Sequence, residues 1–579
     1  MAAGRSPGLR DALMVLSGVA TAVFTLMLTA QVIDGARPAL ALHELMPGLT
    51  IGFAVEPLGM IFAAVAGTLW PITAVYSIGY MRGNHEAHQT RFHLCFAIAI
   101  ASALALAYAD GLLSMFLAYE VLTLSTYPLV THAGTKAAVK AGRTYLGILL
   151  ATSIGFQLTA IIAVFVLSGT VAFTPGGVLP DGLSPALLAL LLGLFAYGIG
   201  KVALMPLHAW LPAAMVAPTP VSALLHAVAV VKGGAFAVVK VITYTLGTDR
   251  LAAAGANDWL VWVAAASIVI ASSIALTQDH LKRRLAYSTI SQLAYVTLAA
   301  AIMAPLSIVG AAMHIAAHAV GKITLFFAAG AIHTAAHKDY VSQLDGIGRR
   351  MPWTMGAFTL ATLSMIGLPP AVGFTSKWFM LEGALSSQYW VAVAALAAST
   401  LLNAAYFLPI VWRAFFRAPV AAKSVGAAGA QGDDHHGPHG EAPLPMVLAI
   451  MTTAGLTLLL FLYPDPVLAL AEALANAVTQ EVCVDRLRPF QTCPARPGHG
   501  VGTAGARRVT DRARHRRGGP GAVGPGRAWH PSPRLSGLRR DLRLSWLVRP
   551  ARRACRRGCR AWAGADAGPP RTPGRGDRR

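Results

Sequence analysis

Residues 198–242 read GIGKVALMPLHAWLPAAMVAPTPVSALLHAVAVVKGGAFAVVKVI. The stretch is mostly apolar, yet it carries Lys201, Lys232 and Lys240 together with His208 and His226. Met205-Pro206-Leu207-His208-Ala209-Trp210-Leu211-Pro212 ends one apolar run, and Pro218-Thr219-Pro220 opens the next. Proline removes a backbone donor and disturbs the turn before it. An interruption of this kind at membrane depth is tolerated inside protein or beside a wet cavity, where it often marks an ion site. A charge in the hydrocarbon costs at least a few kcal/mol, so each lysine calls for an account.

The surroundings make membrane depth the right frame. Apolar runs recur at roughly 12–33, 57–80, 92–109, 111–131, 144–168, 186–206, 220–246, 259–277, 285–304, 307–333, 353–383, 390–414 and 444–463, thirteen in all. About twenty such residues let a helix cross a bilayer. The 579-residue chain is 55% hydrophobic and 12% charged, with mean hydropathy +0.57; a soluble domain is nearer a quarter charged. The runs show no alternating strand period, so the expectation is an all-α polytopic membrane protein. The first run is too long for a cleaved signal peptide and lacks a convincing small-residue cleavage site. A second interruption, Gly367-Leu368-Pro369-Pro370 with Gly373, falls just before Lys377.

Loop charges orient the spans. With a cytoplasmic N-terminus, the loops around 81–91, 132–143, 278–284, 334–352 and 413–443 are cytoplasmic and carry fourteen basic residues, against little besides Arg37 and Arg250 opposite. The overall net charge of +22 misleads, because residues 481–579 hold 24 arginines, no lysine and six acidic groups, a net +18. Arginine without lysine, amid Gly, Pro and Ala, is what a GC-rich gene yields when read in the wrong frame. A native disordered tail binding anionic lipid or nucleic acid is the other reading. The expected division is therefore a transmembrane domain over 1–480 and an Arg/Gly/Pro-rich tail over 481–579. Cys95 lies alone in an apolar run and the other cysteines sit in the tail, with no spacing that suggests disulfides, zinc or iron–sulfur ligation.

Further ionisable groups fall inside the runs. Glu120 is in mid-span, and His226 lies six residues before Lys232. His314, His318 and Lys322, spaced four and four, form one helical stripe. Lys377 follows the second break. Such a row accepts and releases protons if burial destabilises the lysine charge and a carboxylate offsets it. The plainer readings are that Lys240 snorkels to an interface, that His226 is a hydrogen-bonded packing residue, and that Glu120 neutralises a lysine. His314 and His318 have metal-ligand spacing but no neighbouring acid to complete a site, and the Asp433–His439 run reads as a solvated linker. Glycines between Gly193 and Gly200 suit close helix packing. There is no P-loop and no dinucleotide fingerprint, and no cofactor or metal is expected.

Residues 198–242, the run Asp279-His280-Leu281-Lys282-Arg283-Arg284-Leu285-Ala286-Tyr287-Ser288-Thr289-Ile290-Ser291-Gln292, and the stretches Met313 to Ile332 and Ile366 to Lys377 resemble the antiporter-like subunits shared by respiratory complex I, membrane-bound hydrogenases and Mrp-type multisubunit cation/proton antiporters. The resemblance covers most of residues 10–475. It implies fourteen helices with two inverted five-helix repeats, approximately 92–246 and 259–415, each containing a broken helix. It places the family's fifth-helix glutamate on Glu120, the broken-helix lysine on Lys201, the central lysine on Lys232 and the second-repeat lysine on Lys377, with His314, His318 and Lys322 as the connecting polar axis. The span missing from the thirteen would be the family's first helix, and the tail has no family counterpart. The runs Tyr76 to Gly83 and Gly346 to Trp353 look closest to the D subunit of the antiporters.

The resulting expectation is a proton-conducting subunit in a bacterial inner membrane. Glu120 and Lys201 act as a coupled pair, Lys232 as central relay, and the broken helices as entry and exit. The expected partners are other membrane subunits, H+ with Na+ or K+, and lipid, but not nucleic acid. The alternative is the same module in an NADH:quinone oxidoreductase or hydrogenase complex, where redox subunits drive the protons. A lone transporter of an organic solute fits poorly, since no substrate-sized polar pocket is legible.

Overall fold

The computed structural model describes residues 6–418 and 440–487. The Asp433–His439 run and the tail from 488 lie outside the described residues. The longer helices are α1 (Pro7–Ile33), α2 (Pro57–Gly83), α3 (Gln89–Ala107), α4 (Leu112–Val130), α5 (Lys136–Ser168), α6 (Pro185–Gly198), α7 (Val230–Val241), α8 (Asp258–Thr277), α9 (Leu281–Ile302), α10 (Pro305–Ala336), α11 (Pro352–Ile366), α12 (Gly373–Ser386), α13 (Trp390–Phe416), α14 (Leu444–Leu462) and α15 (Asp465–Leu487). Local chemistry starts and stops several of them. Proline opens α1, α2, α6, α10 and α11, where its missing N–H would have lacked an intrahelical partner anyway. The hydroxyls of Thr135 and Ser184 cap α5 and α6 by accepting from the N–H groups of Ala138 and Leu187 at 3.1 and 3.3 Å.

Among the described residues, ten helices are long and apolar enough to cross a membrane. They are α1 to α5, α8 to α10, α13 and α14, and all ten coincide with expected spans. The other three expected spans, 186–206, 220–246 and 353–383, fall on segments that change helical type or break. In the first, α6 gives way after Gly198 to a 3-10 turn, Gly200–Val202, and short helical pieces up to Val216. In the second, Thr219–Ala223 runs through a π turn, Leu224–Val228, into α7 and a further π turn, Ile242–Leu246. In the third, α11 stops at Ile366 and α12 begins at Gly373.

Two elements were not anticipated. Residues Ala39–Met46 (β1) and Leu49–Ala54 (β2) form an antiparallel hairpin with Ala39 opposite Ala54. Its alternation is short and lies between spans, outside the runs that were read for strand period. Helix α15 follows the last expected span and continues past Gln480 to Leu487.

Burial locates the core. The most apolar window of α10 is fully buried and that of α9 is 94% buried, whereas α1 is only 22% buried. Helices α9 and α10 are thus inner staves, and α1 lies on the outside of the described bundle, with several of its leucines and Phe24 exposed. Glycines let the broken segments approach closely. A Cβ on Gly234 of α7 would collide with the backbone of Lys201 and Val202, and one on Gly198 with the backbone of Gln157.

Candidate proton pathway

The break after α6 positions Lys201. With regular hydrogen bonding lost there, side chains take over the freed backbone groups. The Trp210 indole N–H donates to Gly200 O at 3.0 Å, and the Lys201 N–H donates to the Tyr119 hydroxyl at 3.0 Å. The Lys201 ammonium donates to Tyr119 O at 2.8 Å and to Thr123 Oγ1 at 2.5 Å, and it stands 3.0 Å from the Tyr119 ring centroid. Lys201 is fully buried. Glu120 lies beside Tyr119 on α4 and interacts electrostatically with Lys201, but among the described residues no ion pair within 4 Å joins the two. The close partners of Lys201 are a carbonyl, a hydroxyl and a ring. Glu120 Oε1 is buried without a hydrogen-bond partner.

A continuous row begins at Lys232 on α7. Its ammonium nitrogen is hydrogen-bonded to His318 Nδ1 on α10. One turn along α10, the ring of His314 stacks on that of His318 at 5.9 Å and 11°. His314 bonds through Nδ1 to Ser376 Oγ on α12 at 2.9 Å and through Nε2 to Gln292 Oε1 on α9 at 3.1 Å. Its ring also stacks on Tyr295 at 5.8 Å. Beside Ser376, the Lys377 ammonium donates to Met365 O at 2.7 Å and Ile366 O at 3.2 Å, carbonyls left open where α11 ends. The same ammonium lies 4.9 Å from the Tyr295 ring centroid. Lys322, one turn beyond His318, turns aside to Ser288 Oγ at 2.9 Å and Leu285 O at 3.4 Å.

The structure thus links Lys232, His318, His314 and, through Ser376 and Tyr295, Lys377. It places Lys322 on a branch and Lys201 with Glu120 at a separate station. The backbone of His226 lies in the π turn before α7, while its side chain lies outside the described residues. Lys240 does not snorkel: it is 1% exposed and ion-paired with Glu56. Sequence reasoning missed Gln292, Ser376, Tyr295 and Ser288, which link or terminate the charged groups. Their signal was present, since each is a polar side chain within an apolar helix, but it is weaker than a charge. Among the described residues, no three His, Cys, Asp or Glu side chains gather in a way that could hold a metal.

A family model described as NADH:quinone oxidoreductase/Mrp antiporter, transmembrane, matches residues 109–403, the interval that contains every residue of this row. NADH-quinone oxidoreductase subunit N of Desulforudis audaxviator is 34% identical over 375 residues, covering 64% of this chain and 74% of the relative. Hydrogenase-4 component B of Escherichia coli is 29% identical over 425 residues, covering 70% of this chain and 62% of the relative. The chain therefore spans less than two thirds of the latter's length. Two solved structures share the fold. A chain of the Mrp complex from a Dietzia species superposes with a TM-score of 0.67 at 19% identity, covering 82% of this chain and 94% of that one. A chain of an archaeal membrane-bound sulfane sulfur reductase gives 0.69 at 21% identity, covering 81% and 92%. The chain belongs to the NADH:quinone oxidoreductase/Mrp antiporter family of multi-pass, proton-translocating membrane subunits.

Proposed function

We propose that this chain conducts protons along the row Lys232–His318–His314–Lys377, with Lys201 and Glu120 as a coupled pair beside it. The carrying observation is the series of contacts from Lys232 through two imidazoles stacked at 5.9 Å to Ser376, the chain neighbour of Lys377. Imidazole both accepts and donates a proton, so each ring is a relay between ammonium groups. The unpartnered Glu120 Oε1 and Gln292 Nε2 are polar atoms to which water can bind along the way. His226 and Lys322 are side stations in this scheme. Residues 92–246 and 259–415 are its two inverted repeats, each contributing one broken segment.

In this reading the subunit sits with other membrane subunits in a bacterial inner membrane, and the proton flow is exchanged for Na+ or K+. The resemblance of Tyr76 to Gly83 and Gly346 to Trp353 to the D subunit of the antiporters supports it. The second reading, a redox-driven proton pump, is favoured by the names of the relatives, a quinone oxidoreductase subunit and a hydrogenase component. Mass spectrometry of the native complex, purified through a tag placed after Gln480, separates them. Small membrane proteins alone support cation exchange, whereas soluble flavin and iron–sulfur subunits support the redox complex. Lys232→Ala tests the path itself: proton movement stops while the complex still assembles, and unchanged movement would refute the path.

A further inference from the structure

A lysine paired with a carboxylate lies at the far end of α7. Lys240 is ion-paired with Glu56, which is the N-cap residue of α2 and lies two residues after the end of β2. The Tyr244 side chain lies within electrostatic reach of Glu56. The rings of Phe173 and Tyr244 stand 4.4 and 4.8 Å from the Lys240 nitrogen. Asp110 lies within electrostatic reach, fixed by Gly52 N–H at 3.1 Å and the Ser114 hydroxyl at 2.6 Å. These groups occupy the end of the bundle that carries the hairpin and the α3–α4 turn, away from the basic loops. The Glu56 side chain is 13% exposed and the Lys240 side chain 1%, so the carboxylate is the outer member of the pair.

Between the two lysines of α7, one turn from each, stands Phe236. Its ring stacks on that of Phe62 at 5.3 Å and 29°, and both are fully buried. The Lys240 nitrogen is 5.8 Å from the Phe236 ring. Eight helical residues separate the lysines by about 12 Å along the axis, too far for direct proton transfer. On the inner side, Leu106 and Leu122 close around Gly233. A structural role alone explains the pair poorly, because a buried ion pair stabilises little or nothing relative to an apolar pair of similar volume.

We propose that Lys240 and Glu56 form a proton-release station on the non-cytoplasmic side, gated from Lys232 by the stacked Phe62 and Phe236 rings. This rests on the reading of Lys232 as the central carrier. The Lys240 ammonium gives a proton to the Glu56 carboxylate: an N–H bond breaks, an O–H bond forms, and the buried pair becomes neutral. Glu56 then releases that proton to the outer aqueous side and regains its negative charge. When the rings part and water enters, the Lys232 ammonium reprotonates the Lys240 amine. One proton has moved outward, and Lys232 is left neutral for reloading.

The test uses everted membrane vesicles containing the full complex. Proton movement is followed with a pH-sensitive dye after addition of Na+, K+ or the redox substrate, and assembly is followed through the tag. Glu56→Gln and the apolar double variant Lys240→Met/Glu56→Leu are expected to assemble and to move protons roughly tenfold more slowly or worse. Phe236→Ala is expected to raise the passive proton leak several-fold. Parental rates in the assembled double variant, with Lys232→Ala inactive, overturn the station but leave the central path standing. Parental rates in Lys232→Ala as well remove both. If the double variant does not assemble, Glu56→Gln decides, and an unchanged leak in Phe236→Ala overturns the gate.

Discussion

The ammonium nitrogen of Lys232 and Nδ1 of His318 are hydrogen-bonded to each other between α7 and α10, in the most buried part of the bundle. An ammonium has only donors, so when Lys232 is charged the imidazole must present a bare Nδ1. A proton crossing that bond makes an imidazolium whose ring faces His314 in near-parallel stacking. Removing the ring cuts the row at one point without disturbing either break. His318→Ala is expected to slow proton movement by about 10²-fold, the scale of one positioned proton-transfer group. Subunit assembly should stay at the parental level. Dye-monitored exchange in vesicles reads the first outcome and tag-based purification the second, and an assembled variant with parental exchange would exclude His318 from the path.

The end of α11 fixes Lys377 through its backbone. Gly367 stands at φ +92°, a region that L side chains rarely adopt, and a Cβ there would come within 2.8 Å of Lys377 Cδ. Gly367→Ala should therefore cost about 1–3 kcal/mol in strain and displace the ammonium from the Met365 and Ile366 carbonyls. A lower melting temperature of the purified complex, together with slower proton movement, is the expected pair of results. Loss of stability with parental transport would mean that the position of Lys377 is not critical.

Much of this site was legible because charge in an apolar run is costly and therefore informative. Lys201, Lys232, His314, His318, Lys322 and Lys377 stand out for that reason. The row was less legible as a connected object. Nothing in the spacing of the chain says that Lys201 turns to Tyr119 O and Thr123 rather than to Glu120, since the choice depends on how the 3-10 turn after Gly198 aims the side chain. Glu56 escaped notice because it lies outside the apolar run, while its partner Lys240 lies within one. The hairpin escaped because six to eight alternating residues between long spans give only a weak periodic signal. Ten of the thirteen runs coincide with spanning helices, but the runs did not reveal the π and 3-10 turns inside the others or α15 beyond them, because hydropathy does not distinguish helical types.

At the end of the bundle that carries the basic loops, the loop after α10 is tied back by Asp339. His333 Nδ1 and Asp339 Oδ1 are 3.0 Å apart, and the Leu281 N–H donates to Asp339 O at 2.8 Å. The hydrogen bond from His333 holds the Asp339 carboxyl below its ordinary value. A carboxyl depressed in the folded state contributes its stability fully above the unfolded value near 3.9, and loses it as pH falls through the lower folded value. Asp339→Asn should thus melt below the parent at neutral pH. The gap should close as the pH is brought below about 4. A gap that stays constant across that range would assign the effect to packing instead.

Arg284 makes the most concentrated polar fixing among the inner helices. From the first turn of α9 it donates through Nε to Gln278 O at 2.7 Å, through one terminal nitrogen to Tyr406 O at 3.0 Å and through the other to Leu276 O at 3.4 Å. Two of these carbonyls lie at the end of α8, where the helix has no amides left to offer them, and the third is on α13. The planar fork of a guanidinium reaches three carbonyls on two elements at once, and a single ammonium does not. Arg284→Lys keeps the charge but cannot serve all three carbonyls, and loss of the donor to the buried Tyr406 O costs about 1–3 kcal/mol. Thermal melting of the detergent-solubilised complex should show that loss, while proton movement by the surviving folded fraction stays at the parental rate, because Arg284 touches none of the relay groups. Equal melting temperatures for parent and variant would show that water or a neighbouring donor serves these carbonyls as well as the guanidinium does.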